Sequence, residues 1–217
     1  MASTYKKICI IHTLDDSTNF LSSIGLLAPD EYIISGPEDE EVTELLEFLT
    51  KIEGSSLIIF LGHGHSSGLY CSHMDTYGVR TMINGLVGNK VFKNQDVILL
   101  SCNSAEFIKQ LTTCRAVIGF GNILSSGKEV DNEAAILGKR RNLSDLDIST
   151  FNNYYVDAMK NAIELLIKNK INFKALPNWI SYFINKSINS VLRQKEKQNR
   201  FEVAKLLFDF RNEILYK

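Results

Sequence analysis

Two short apolar runs, each ending in a chemically reactive side chain, constrain this chain more than any other feature. Leu57-Ile58-Ile59-Phe60-Leu61 leads into Gly62-His63-Gly64-His65, and Val97-Ile98-Leu99-Leu100 leads into Ser101-Cys102-Asn103-Ser104. Unbroken apolar runs of this length, bounded by Gly and polar residues, are the pattern of strands buried on both faces of a parallel sheet. Open α/β sheets carry their chemistry at the carboxyl ends of the strands. A His and a Cys at two such ends can meet in one crevice, where an imidazole acts on a thiol.

Composition bounds the setting. The 217 residues suffice for one domain with a full core. With 45% hydrophobic and 23% charged residues the chain is ordinary for a globular protein, so disorder is not expected. The formal net charge is −1 and no long basic stripe occurs before the last quarter, which argues against a nucleic-acid partner. Met1 to Lys7 lead straight into a short apolar strand without a signal-peptide pattern. No apolar run approaches the roughly 18 to 20 residues of a membrane span. Cysteines at positions 9, 71, 102 and 114 are unevenly spaced and read as reduced thiols rather than a disulfide framework. A cytoplasmic protein without a membrane span is expected.

Strand-like and helix-like segments alternate from the start. Ile8-Cys9-Ile10-Ile11 reads as a buried strand, followed by a polar corner at Asp15-Asp16-Ser17 and a helical spacing through Phe20, Leu21, Ile24 and Leu27. Tyr32-Ile33-Ile34 is a second strand. Glu38 to Glu41 suit the positive first turn of a helix whose apolar stripe is Val42, Leu45, Leu46, Leu49 and Ile52. After the strand ending at His63, residues 65 to 78 read as a loop or hairpin, and Val79, Met82, Ile83 and Leu86 as a helix. A helix beginning near Ser104 and a strand over 116–120 follow. Residues 121 to 133 read as a polar loop, and Val156, Met159, Ile163, Leu166 and Ile167 share one face of a long helix. The stretch 174–217 carries helical patterns, the only Trp (Trp179), a basic run from Arg193 to Lys197, and no strand signal. The alternation predicts an α/β fold, a mainly parallel sheet flanked by helices on both faces, over residues 1–170. A helical extension over 171–217 is expected on or beside it.

Cys102 has the position of an activated thiol, at a strand end just before a helix, where the positive helix terminus favours thiolate. Gly64, directly after His63, lets the backbone approach a substrate. The N–H groups of Gly64 and Cys102 are candidates for holding an oxyanion, and one such donor is worth on the order of 100-fold to 1000-fold in rate. The blander readings are a small buried thiol and a histidine in a turn. Both residues occurring together, 39 positions apart (102 − 63) at the ends of the two most apolar runs, favour a Cys–His dyad for acyl transfer. The chemical competitor is zinc held by His63, His65, Cys71 and His73, with H-x-H followed by C-x-H spacing. The dyad needs neither metal nor cofactor.

With Gly62-His63-Gly64 after one buried strand and Ser101-Cys102-Asn103-Ser104 after the next, the chain resembles the caspase-like cysteine peptidases, most closely the bacterial CHAT-domain proteases. The likeness covers about residues 6 to 168. It implies a caspase-like fold, Cys102 as nucleophile, His63 as general base and acid, and Gly64 as an oxyanion donor. The caspase pentapeptide Q-A-C-x-G is absent, Leu100 to Ser104 standing in its place, so aspartate specificity does not carry over. By analogy with bacterial defence systems the implied partners are a protein substrate, such as a gasdermin-like effector, and a regulatory protein. A silent caspase-like scaffold that binds a partner, or a small-molecule cysteine hydrolase or zinc-stabilised binding domain, are the alternatives.

In caspase-like folds the pocket for the residue before the scissile bond is lined by the loops after the first and fifth strands. Here those loops carry Asp15 and Asp16, then Ser125, Ser126, Glu129 and Asp131. A pocket of carboxylates favours Arg or Lys through charge-assisted hydrogen bonds. The plainer reading is solvated loop residues or helix caps, with a small or apolar preference in the pocket.

Overall fold

The order of buried strands follows from where the apolar runs lie. The structure is a computed structural model that describes residues 5–72, 78–138 and 141–217. Five strands, β1 (Ile8–His12), β2 (Tyr32–Ile34), β3 (Leu57–Leu61), β7 (Asp96–Leu100) and β8 (Ala116–Gly119), are parallel in the order β2-β1-β3-β7-β8. A sixth, β9 (Leu215–Tyr216), joins antiparallel beside β8. The remaining three, β4 (Gly64–His65), β5 (Gly68–Tyr70) and β6 (Thr81–Asn84), form a small antiparallel sheet that leaves the end of β3.

Every residue of β3 and β7 is buried. The apolar runs 57–61 and 97–100 require it, and Asp96 at the start of β7 is paired with Tyr5 and Arg115. Side chains alternate between the two faces. Ile10, Leu57, Ile59, Leu61, Ile98, Leu100 and Ile118 enter one cluster, and Cys9, Ile11, Ile58, Phe60, Val97, Leu99 and Val117 the other. The first cluster is closed by the short helix α1 (Ser22–Gly25) and by α6 (Asp145–Ile167), α7 (Leu176–Arg193) and α8 (Arg200–Asn212). The second is closed by α2 (Asp39–Lys51), α3 (Gly85–Val91), α4 (Ser104–Phe107) and the small sheet. The chain is thus an α/β fold with a mostly parallel sheet between helices. No helix among the described residues is long and apolar enough to cross a membrane.

Three expected elements differ. The helical spacing from Val79 to Leu86 is divided: Thr81–Asn84 is strand β6, with consecutive Met82 and Ile83 both buried, while Val79 and Leu86 are exposed. Asn84 ends that strand and starts α3, its side-chain carbonyl accepting the Val87 N–H at 3.0 Å. Within the expected loop 121–133, helix α5 (Gly127–Leu137) starts at a capping box formed by Ser126 and Glu129. The C-terminal stretch contains a strand after all, β9, whose two residues owe their conformation to the free edge of β8 rather than to any local apolar pattern.

Candidate active site

The strand register ends the neighbouring strands β3 and β7 at one level. Leu61 of β3 lies opposite Leu100 of β7, and His63 and Cys102 each stand two residues further on. Adjacent strands run about 4.8 Å apart. Gly62 N–H extends the ladder by donating to Leu100 O at 3.3 Å. On the other side of β3, β1 carries the chain from His12 and Thr13 into the turn at Asp15. The chain leaves β1 towards β2 on one side and returns to β3 on the other, so the crevice above β1 and β3 is the point where strand order reverses.

His63 is held from that crevice. Its Nε2 lies 3.2 Å from Asp15 Oδ2 and 2.7 Å from Ser17 Oγ. Ser17 gives its own proton to Asp15 Oδ1 at 2.7 Å. A carboxylate can only accept, so the Nε2 atom carries the hydrogen and Nδ1 keeps the lone pair of a base. Asp15 is fixed in turn, because Oδ1 accepts the N–H groups of Ser17 and Thr18, both at 3.0 Å. Burial pulls the pKa of His63 down, but the Asp15 hydrogen bond and the charges of Asp15 and Glu129 outweigh it, and the net shift is upward.

The turn after β7 is built around Ser104. This fully buried hydroxyl lies 2.7 Å from Leu99 O and 2.9 Å from Ser101 O, and accepts the Phe120 N–H at 2.9 Å. Asn103, at φ 55°, takes the left-handed conformation that turns the chain out of the strand, and its N–H reaches Gly121 O at 2.8 Å. Gly119 leaves room for the turn: a Cβ there would come within 2.6 Å of Ser104 O.

The half-buried Cys102 thiol sits 3.2 Å from Ile123 O. Its pKa is pushed up to about 12, first by burial and then by the Glu129 carboxylate; backbone hydrogen bonds at Ile123 and at Cys102 itself pull the other way and lose. This reverses the lowering expected from the helix. The helix is a single turn, and the N–H groups of Asn103, Ser104, Ala105 and Glu106 are all taken by backbone carbonyls, so no positive terminus faces the sulfur.

Gly64 lies against the turn that carries Cys102. A Cβ on it would approach Ser101 Oγ to 2.7 Å and Gly68 O to 3.2 Å. Tyr70 N–H donates to His63 O, and His65 faces Gly68, so the Gly64 N–H between them points away from β5. It is thus directed off the hairpin while its Cα packs on the residue before Cys102.

The other expected site residues divide. Glu129 influences both His63 and Cys102, and its Oε2 is engaged by the N–H groups of Ser125 and Ser126 and by the Ser125 hydroxyl. Asp15 serves His63. Asp16 and Asp131 are exposed. His65 is tied to the hairpin, Nδ1 to Ser67 Oγ at 2.9 Å and Nε2 to Thr81 Oγ1 at 3.2 Å, with its ring stacked on Tyr70. Among the described residues no three His, Cys, Asp or Glu side chains gather to hold a metal, and His73 lies outside those residues. His12 is buried with Nδ1 at 2.6 Å from Tyr32 OH, and burial pushes its pKa down to about 4. All four cysteines are free.

Sequence reasoning missed Asp15 as the partner of His63, together with Ser17 and Ser104. The signal for the first was an Asp-x-Ser-Thr turn directly after a buried strand; nothing local marked Ser104. The chain matches no protein-family model and no curated protein.

Proposed function

We propose that this chain is a cysteine endopeptidase working through Cys102 and His63. The register Leu61 opposite Leu100, from which His63 and Cys102 each follow by two residues on neighbouring strands, supports the reading. His63 Nδ1 takes the thiol proton, and the sulfur attacks the scissile carbonyl carbon. The oxyanion so formed is received by the N–H groups of Gly64 and Cys102. His63 then returns the proton to the leaving amine, whose C–N bond breaks, and water releases the acyl group by the same path reversed. Asp15 and Ser17 hold the imidazole in the tautomer that this requires. A high free-enzyme thiol pKa accords with ion-pair formation that waits for substrate to complete the site.

The resemblance of Gly62-His63-Gly64 and Ser101-Cys102 to caspase-like and CHAT-domain proteases extends the reading. Under it the fold is caspase-like, and the substrate is a partner protein cleaved in a bacterial defence or cell-death pathway, such as a gasdermin-like effector. One observation favours a second reading, a silent scaffold that binds a partner. The thiol is held as a neutral donor near Ile123 O, and its pKa is raised rather than lowered.

Labelling with peptidyl electrophiles, read by mass spectrometry at each cysteine, separates the two. Selective modification of Cys102 that disappears in His63→Ala is the expected result. Even labelling of all four cysteines, or none at Cys102, favours the scaffold.

A further inference from the structure

The C-terminal residues 213–217 grip the chain on both sides of Cys102. Glu213 follows α8 and its Oε2 accepts the Asn122 N–H at 3.0 Å. The carboxylate lies so close over Gly121 that a Cβ there would meet Oε2 at 1.7 Å. Gly121 O in turn accepts the N–H of Asn103, the residue after the nucleophile, and Ile123 O receives the Cys102 thiol. Two residues beyond Glu213, β9 pairs with β8, the strand from which this loop departs. Lys217 then reaches to the other flank. Its ammonium donates to Lys109 O at 3.0 Å and Leu111 O at 2.9 Å, carbonyls at the end of the helical segment that begins at Ser104.

The loop 121–123 therefore has two neighbours that matter, the thiol on one side and Glu213 on the other. An Asn122 N–H released from Glu213 has no helix or sheet to return to. The carbonyl of the next residue, Ile123 O, is the sulfur's hydrogen-bond partner, so a shift of this backbone changes the surroundings of the thiol directly.

Resting on the peptidase reading above, we propose that Glu213 is a positioning residue for Cys102. By holding the Asn122 N–H it fixes the Gly121–Ile123 backbone against the nucleophile turn, so the C-terminal strap sets both the exposure and the alignment of the thiol. Glu213 touches no substrate. It acts through one peptide group, and any ligand or protein that draws the strap away would act on the thiol by the same route.

The test is alkylation of the full chain by iodoacetamide across pH, read by mass spectrometry at Cys102 and Cys9, in the wild type, Glu213→Ala and Glu213→Gln. Fully buried Cys9 reports general loosening. In Glu213→Ala the expected outcome is severalfold faster alkylation of Cys102, a pH profile moved to lower pH, and unchanged Cys9. Peptide turnover falls in kcat by about tenfold or more with KM little changed, since small misplacements of reacting groups carry costs of that size. Glu213→Gln keeps a carbonyl acceptor and restores both readouts. Unchanged Cys102 alkylation in the Ala variant, a Gln variant that behaves like Ala, or a parallel rise at Cys9 would each overturn the assignment. Absence of turnover in the wild type counts against the peptidase reading alone, because the alkylation arm still decides whether Glu213 governs the thiol.

Discussion

Asp15 raises the pKa of His63, and on the peptidase reading the pH dependence of turnover reports that contact. Only neutral imidazole accepts the thiol proton. The His63 pKa is raised above its ordinary 6.5, with burial opposing and Asp15 and Glu129 prevailing. The acidic limb of kcat/KM is therefore expected above pH 6.5 in the wild type and at lower pH in Asp15→Asn. A limb that stays in place in the variant would mean that another group sets it. The same contact links to stability. A histidine whose folded pKa is raised contributes stability below its unfolded value and loses it as pH rises through the folded value. Asp15→Asn thus costs more stability at pH 5 than at pH 9, a comparison that urea titrations at the two values make directly. Exchanging the dyad itself has a simpler outcome. On the peptidase reading Cys102→Ala and His63→Ala abolish turnover while the chain stays folded, His63→Ala losing at pH 5 the stability that the Asp15 contact supplies. His65→Ala, removed from the thiol by its bonds to Ser67 and Thr81, keeps measurable activity. A dead His65 variant beside a live His63 variant would move the base from His63 to His65.

The elements that bear the site depend on a few buried contacts, and Ser104 is the sharpest of them. Removing its hydroxyl in Ser104→Ala leaves the Phe120 N–H without its partner in a fully buried position. An unsatisfied buried group costs about 1–3 kcal/mol, so the urea midpoint should fall with an unchanged slope. A midpoint within error of the wild type would mean that water or a shifted loop replaces the hydroxyl. Gly64→Ala acts on the other strand end, where the new Cβ must displace Ser101 and with it the turn that carries Cys102. Strands β3 and β7 were legible because their apolar runs need no context to mark them as doubly buried. Helices α2 and α6 were legible from their stripes, and Leu45, Leu49, Val156, Met159, Ile163 and Leu166 are buried as that spacing requires. Strand β6 was not, because Met82 and Ile83 satisfy a helical period when flanked by Val79 and Leu86, and only pairing with β5 decides between the two. The start of α5 was marked by Ser126-x-x-Glu129, a capping box that looks like any polar loop until a helix follows it. At the site, the His and Cys positions could be read from strand ends. The partner of His63 could not, because which loop carboxylate meets the ring depends on β1 lying beside β3.

Across the whole molecule, the question is whether α7 and α8 are an appendage or part of the core. Leu176, Ile180, Ile184, Val191, Val203, Leu206, Leu207 and Phe210 are all buried in the same cluster as the sheet and α6. Phe210 alone stacks on Phe120, the residue that follows β8, with centroids 5.2 Å apart, and on Tyr155 of α6 at 4.9 Å. Without these helices one face of the central sheet loses much of its cover, and β8 becomes an unpaired edge as β9 goes with them. A chain ended at residue 173 is therefore expected to aggregate rather than persist as a smaller folded protein. Phe210→Ala is the gentler version of the same test. Deleting a fully packed Phe costs about 3–5 kcal/mol, a large part of the stability of a single domain. Because Phe210 touches the strand that leads into the 121–125 loop, the loss should also be felt at Cys102, as faster alkylation at temperatures well below the unfolding transition. A truncated chain that stays folded and monomeric and keeps a slowly alkylated Cys102 would make α7 and α8 an independent module. The stability of the site would then rest on residues before 174 alone.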